Sequence, residues 1–421
     1  MPSMRPLALA LIPLVAACSE PEPEPCLVSN EAVIELGSGT LCTVTPTGLV
    51  LHTEGWELVL ERLTEQGTLQ ELARIQSASS WCGTVAEDLE TETIWLTVPG
   101  EDAFGSDDID QPGRLLTLDA DGQTLKEEPL LAEGAPIYIG SSLARAGELY
   151  LAGSVYRSNP DGIYDSAALI ERRDANGALA WRQTGYANFV PHSDGEREFH
   201  WIGQIVSVGG NLAVFAGRSG IDSSSISMLT LRGLDGGVNW TAYVTPDNYN
   251  GPHARLASDD DRTIWVSEER GRRYDYTETT DDPPLLRVAR SIVTSHDNSG
   301  WTNWRGEVEW PELDDIRVTE AVGVDTSVVH VVSGRNVEDR ALRHLSLARQ
   351  DWTGALECTA SLDHLGLRAA RTLHKLDDGR IVLGGEVVIP HEDDPEDPSD
   401  HNTVTVPAIV VLDVEPGPAP W

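Results

Sequence analysis

A single spacing recurs along most of this chain: an acidic residue, a glycine three places on, and a tryptophan four places beyond the glycine. Asp174, Gly177 and Trp181 carry it in full, as do Asp297, Gly300 and Trp304, while Gly233-Leu234-Asp235-Gly236 leads to Trp240. Elsewhere one member changes. Asp351 and Gly354 are followed by Cys358, Asp119 and Gly122 by Lys126, and Asp413 with Gly417 reaches Trp421 with one residue extra. These residue types specify a tight hairpin, because the acidic side chain bonds its own backbone and glycine takes the positive φ the turn demands. The large ring then falls on the returning strand, which must bury it. A chain that repeats this turn is built from strands, in like units.

Each hairpin is preceded by a short β-rich run bounded by turn residues. Seven such runs are present, beginning at Leu49, Ile94, Leu149, Leu212, Ile264, Val328 and Ile381. Before each lies another candidate strand, such as 204–208, joined to it by a turn such as Gly209-Gly210-Asn211 or Asp377-Asp378-Gly379. A unit therefore reads inner strand, turn, second strand, variable loop, third strand, Asp/Gly hairpin and outer strand. No helical period of 3.6 competes over a long window. Four strands cannot bury both faces of their sheet alone, so the units must stack, and the stack closes as a ring. The expected fold is all-β: a seven-bladed β-propeller of four-stranded antiparallel blades, filling residues 26–421 as one domain. Its last blade lacks a good outer strand, since Glu415-Pro416-Gly417-Pro418 is too rich in proline. The segment Ala32-Val33-Ile34-Glu35-Leu36 is expected to pair there and remove the open edge.

These units resemble the quinoprotein-like (PQQ-type) repeats of secreted bacterial propellers, in which a small-residue strand end, an Asp-x-x-Gly turn and a following Trp recur blade by blade. The resemblance spans Leu41 to Trp421 and implies a fold rather than a chemistry. It is weakest in the first two units, where Gln66-Gly67 leads to Glu71 and Gly122 to Lys126. The adjacent cysteines of quinone-dependent alcohol dehydrogenases do not occur in the sequence.

The N-terminus addresses location. Arg5 precedes the apolar run from Leu7 to Ala17, which has the length of a signal-peptide core and is too short to span a bilayer, so residues 1–17 read as an export signal. Val15-Ala16-Ala17-Cys18 resembles a bacterial lipobox, which implies cleavage before Cys18 and its lipidation; the simpler alternative is a signal peptide followed by an incidental cysteine. Residues 18–25, ending Pro21-Glu22-Pro23-Glu24-Pro25, form an acidic extended tether. Ser19 rather than Asp follows Cys18, which in lipoproteins implies sorting to the outer membrane of a Gram-negative bacterium. A balance of 68 acidic against 30 basic residues, net -38, repels nucleic acid, and the expected body is a soluble monomer held to the membrane by its N-terminal lipid.

With Cys18 assigned to lipid, Cys26, Cys42, Cys82 and Cys358 remain for disulfides in an oxidising compartment, with three possible pairings. No CxxC pair suggests zinc. On the blade assignment Cys42 and Cys82 lie on consecutive inner strands, while Cys26 precedes the closing strand and Cys358 sits on the outer strand of the sixth blade. Bonded cysteines need Cα atoms within about 7 Å, which favours Cys42 with Cys82 and Cys26 with Cys358.

Function is less legible. Acidic loops between second and third strands carry Asp107, Asp108, Asp110, Asp281, Asp282, Asp393 and Asp394, which could hold calcium through oxygen ligands or serve as a solvated rim. His192, Asp194 and His200 share one loop and are candidates for a metal or for acid–base work. His330 and His344 lie in strands and are expected to be packed. Ser295-His296-Asp297-Asn298-Ser299-Gly300 looks like a sialidase Asp-box, but its glycine falls one place late, which makes it another repeat hairpin. No GxSxG elbow, HExxH, P-loop or dinucleotide fingerprint occurs. The leading expectation is a non-catalytic envelope propeller that binds a periplasmic, envelope or surface protein and needs no cofactor. A carbohydrate-binding or carbohydrate-active lipoprotein, with Trp81, Trp95, Trp201 and Trp265 stacking on sugars, and a calcium-dependent surface module are the alternatives.

Overall fold

The computed structural model describes residues 24–30, 33–101, 111–158, 164–184, 198–220, 225–244, 255–258, 263–269, 289–337, 343–376, 378–390 and 403–415. The chain forms a propeller-like ring of four-stranded antiparallel sheets. The first sheet is Thr40–Val44, Leu49–Glu54, Glu57–Leu63 and Leu69–Gln76, and each strand pairs with the next in sequence. The same meander recurs through Val85–Asp88 to Thr124–Pro129, and again from Arg255–Ser258 to Thr302–Trp310. No helix among the described residues is long and apolar enough to cross a membrane.

Counted as hydrogen-bonded ladders, the sheets number six among the described residues rather than the seven expected. The difference has a local origin. Two meanders, Ala135–Arg145 to Leu179–Thr184 and Glu198–Val208 to Val238–Val244, share one parallel bridge between Ser166 and Phe199 and, with the short strand Leu131–Ala132, merge into a nine-stranded sheet. Ser166 lies beyond the last residue of its strand that pairs with Leu179–Thr184, which leaves an open stretch of edge for Phe199 to reach. Among the described residues the buried side chains form seven apolar clusters. Leu51, Leu60, Leu96 and Leu116 meet between the first two meanders, and Val331, Leu347, Leu383 and Val410 between the last two.

The repeated hairpin has one geometry throughout. In the turn from Asp174 to Ala178, Asp174 Oδ1 accepts from the amides of Asn176 and Ala178 at 2.9 and 3.0 Å, and Gly177 sits at φ 76°. Asp119, Asp297 and Asp351 accept in the same way from residues two and four places on. A β-bulge follows each of these turns, as at Arg172/Arg173 and Arg349/Gln350, and re-aims the returning strand.

That re-aiming explains the tryptophan. The ring of Trp240 lies against Gly300, the turn glycine of the next unit, so closely that a Cβ there would stand 2.9 Å from Cγ. Trp304 lies on Gly354 in the same way, and Trp181 approaches Gly236 while its Nε1 donates to Leu234 O at 3.0 Å. Lys126, in the tryptophan position, instead reaches the next turn by donating from Nζ to Asn176 O at 3.1 Å. Cys358, in the tryptophan position of its unit, instead bonds Cys26, with Cα atoms 4.9 Å apart. A second disulfide joins Cys42 to Cys82 at 5.1 Å, tying the first two units together.

The closing strand starts earlier than 32–36. Leu27–Asn30 pairs antiparallel with Thr403–Glu415, Leu27 opposite Glu415, and Ile34–Glu35 adds a short second stretch opposite Ile409 and Ala408. The disulfide at Cys26 fixes this register, since the chain must already be at the sheet edge one residue before Leu27. Glu24 and Pro25, expected in the tether, pair in parallel with Cys358 and Thr359.

Candidate functional site

Inner strands and the segments leading into them surround a central cavity of about 750 Å³. Its wall takes residues from Cys42–Thr47, Cys82–Glu90, Tyr138–Ala146, Gly203–Ser207, Arg255–Ser258, Glu320–Gly323 and Arg371–Lys375. Bulges in the inner strands place Cys42, Gly140, Gly203 and Arg371 on this wall. Bonds between neighbours stiffen it. The Ile205 amide donates to Ser141 Oγ at 3.2 Å, Arg145 Nη1 to Ser207 Oγ at 2.8 Å, and Gln204 exchanges two bonds with the Leu256 backbone.

One ionisable pair stands out in the lumen. Arg255 Nε donates to Thr319 O at 2.6 Å and lies 3.3 Å from Glu320 Oε1. Burial in the wall pushes the Glu320 carboxyl up to about 7, and the Arg255 charge only partly opposes it. Burial pushes His374, on the same cavity wall, down to about 4, so its imidazole is neutral at physiological pH. The pair can hold a proton or accept a ligand donor. Among the described residues no group of three His, Cys, Asp or Glu side chains is placed to hold a metal ion.

A smaller cleft of about 150 Å³ opens beside the central cavity and shares Cys82, Tyr138 and Ile139 with it. Trp81, Pro99, Pro112, Leu130, Pro136 and Ile137 make it largely apolar, with Glu101 and Gln111 among its few polar neighbours. Trp81 and Tyr138 meet edge to face with centroids 6.0 Å apart, and each remains substantially exposed, at 45% and 37%. Cys82, next in the chain, is fixed by its disulfide and so holds Trp81 in place. Partial burial raises the Tyr138 phenol above its ordinary range.

The sequence candidates fall in several places. Cys18, Asp107, Asp108, Asp110, Asp281, Asp282, Asp393, Asp394, His192 and Asp194 lie outside the described residues. His200 is in the strand Glu198–Val208, its backbone paired with Arg218, and its side chain is outside the described set. Of the four tryptophans considered for sugar stacking, Trp95 is 1% exposed and serves the core, whereas Trp81 presents its ring. Trp201 and Trp265 lie in strands opposite Gly217 and Thr294, with side chains outside the described set. His330 is fully buried with Nε2 2.8 Å from Ser291 Oγ, and His344 contacts Asp363 and Asn336. Tyr138, Arg255, Glu320 and His374 carry no motif, because lining a channel depends on strand register and on bulges that alternation cannot reveal.

No family model matches the chain, and no curated protein matches it by sequence. Solved structures do. An ulvan lyase of polysaccharide lyase family PL25, bound to a GlcA-Rha3S oligosaccharide, superposes with a TM-score of 0.50 over 90% of this chain and 95% of its own, at 10% identity. The WD40 domain of Neurospora crassa Pan2 gives 0.49 over 94% and 98%, at 8% identity. Trypanosoma rangeli sialidase gives 0.42 at 12% identity, this chain covering 59% of it. The chain is a β-propeller protein. Identities this low establish the architecture alone.

Proposed function

We propose that this protein is an exported, lipid-anchored, seven-bladed propeller that binds a protein of the bacterial envelope or surface at its loop face and performs no chemistry on it. The cleft of Trp81 and Tyr138 carries the reading: a rigid, partly exposed aromatic pair over an apolar floor is suited to anchoring a partner side chain. The cleft is formed by the segment before one inner strand, the start of the next, and the two ends of a second-to-third-strand loop, all on the face opposite the hairpins. Seven inner segments around the cavity and seven inter-unit clusters support the blade count. Kinship with quinoprotein-like repeats is supported by the turn and tryptophan spacing. Two disulfides fit an oxidising, extracytoplasmic setting, and the lipobox-like Val15-Ala16-Ala17-Cys18 with Ser19 supports anchoring in the outer membrane.

The test is capture from envelope extract by wild type, Trp81→Ser and Trp301→Ser. The partner is expected to be lost with Trp81→Ser and kept with Trp301→Ser; equal capture by all three rejects the cleft. The carbohydrate reading is favoured by the same exposed ring of Trp81. Retention on a glycan array, or turnover of chromogenic glycosides, that vanishes in Trp81→Ser would replace the protein partner with a sugar. A calcium site in the acidic loops would raise the thermal midpoint when calcium is added.

A further inference from the structure

We propose that the hairpin face of the ring lies against the lipid bilayer and the loop face, with the aromatic cleft, points away from it. This rests on the lipid-anchored reading of Cys18; the direction comes from the strand geometry. Leu356–Ser361 climbs away from the hairpin at Asp351–Gly354, and Glu24–Pro25 runs parallel to it, Glu24 opposite Cys358 and Pro25 opposite Thr359. The N-terminal end of Glu24–Pro25 therefore faces the hairpin side. The next strand agrees. Leu27 stands opposite Glu415, at the end of the third strand where every other unit makes its hairpin, and Leu27–Asn30 climbs from there.

The reach is short. Cys18 precedes Glu24 by six residues, which span at most about 20 Å even when fully extended. The disulfide at Cys26 pins the body end, so slack cannot be drawn from the closing strand. A body much wider than its tether cannot turn its far face to the membrane. The hairpin side also exposes apolar groups. Trp301, in the turn one unit away from the entry point, is 76% exposed, and Leu125, Leu89 and Leu27 follow on this side at 65%, 55% and 54%.

Charge does not draw this face to lipid. The carboxylates of Asp297 and Asp351 accept hydrogen bonds within their own turns, which hold both below the usual range and therefore ionised. Contact is imposed by the anchor and helped by Trp301 and the leucines, so a bilayer poor in anionic lipid suits it best.

The experiment uses the full lipidated protein on vesicles of phosphatidylethanolamine and phosphatidylcholine, with Cys18→Ser as the unanchored control. Hydroxyl-radical footprinting by mass spectrometry compares Trp301 with Trp56 and Trp81, which are exposed on the opposite face. The expected result is a severalfold loss of Trp301 oxidation in the anchored protein, with Trp56 and Trp81 unchanged. A long Gly/Ser insertion between Pro21 and Glu22 should keep vesicle binding and abolish that protection. Protection of Trp56 and Trp81 instead, or of none of the three on a vesicle-bound protein, overturns the orientation. Failure of the lipidated chain to bind vesicles any better than Cys18→Ser overturns the anchor, and the orientation with it.

Discussion

Removing the Cys26–Cys358 bond is the sharpest perturbation of the ring, because this bond holds the strand that closes it. The two residues are 332 apart in sequence, and the Cys42–Cys82 pair only 40. Loop-closure entropy gives about 6 kcal/mol for the long loop and about 4 kcal/mol for the short one, and measured losses more often fall between about 2 and 5 kcal/mol. The longer loop alone puts a difference of about 2 kcal/mol between the pairs. Without the bond, Leu27–Asn30 keeps four residue pairs with Thr403–Glu415 but loses the anchor one residue before its start. The double variant Cys26→Ser/Cys358→Ser should therefore unfold at clearly lower denaturant than Cys42→Ser/Cys82→Ser. Amide exchange along Leu27–Asn30 and Thr403–Glu415 should quicken in the first variant only. A larger loss for Cys42→Ser/Cys82→Ser, or unchanged exchange in the closing strands, would refute closure at this seam.

Gly300→Ala should cost about 1–3 kcal/mol in thermal or chemical unfolding, since its φ is 87° and a Cβ would meet Trp240; adding Trp240→Ala should give a loss well short of the sum of the two. Glu320, raised from 4.5 to about 7 in the folded protein, contributes stability that is complete below pH 4.5 and lost as pH climbs to 7. Glu320→Gln should remove that slope and leave the variant more stable than wild type at pH 8 by on the order of 1–3 kcal/mol. A wild-type slope that persists in the variant refutes the assignment. His330, pushed down to about 3 by burial, acts with the opposite sign: its stability is full above pH 6.5 and drains as pH falls toward 3.

Much of the architecture is legible because the hairpin is a local device. Asp174, Gly177 and Trp181 state the turn, its handed glycine and its buried ring within eight residues, and no distant contact is needed to read them. The start of the closing strand at Leu27 is harder, since Leu27-Val28-Ser29-Asn30 and Val33-Ile34-Glu35 have equal claims as strands until the disulfide register decides. The merging of two meanders through Ser166 and Phe199 leaves no trace in composition. Trp81 is nameable as an aromatic near an inner strand, but its partner Tyr138 lies 57 positions away on another unit. Glu320 owes its chemistry to a bulge after Val318 and to Arg255 on the neighbouring strand, neither of which a sequence pattern marks.

The ring of Trp240 lies on Gly300 and that of Trp304 on Gly354, so each such contact joins the outer strand of one unit to the turn of the next. Cutting the chain between a turn glycine and the tryptophan four places later separates no such pair, whereas a cut at the usual blade boundary separates one. The segment that keeps each ring with its glycine therefore runs from one tryptophan to the following glycine, out of phase with the visible sheet. The last sheet, whose outer strand comes from the opposite end of the chain, is divided in that same phase.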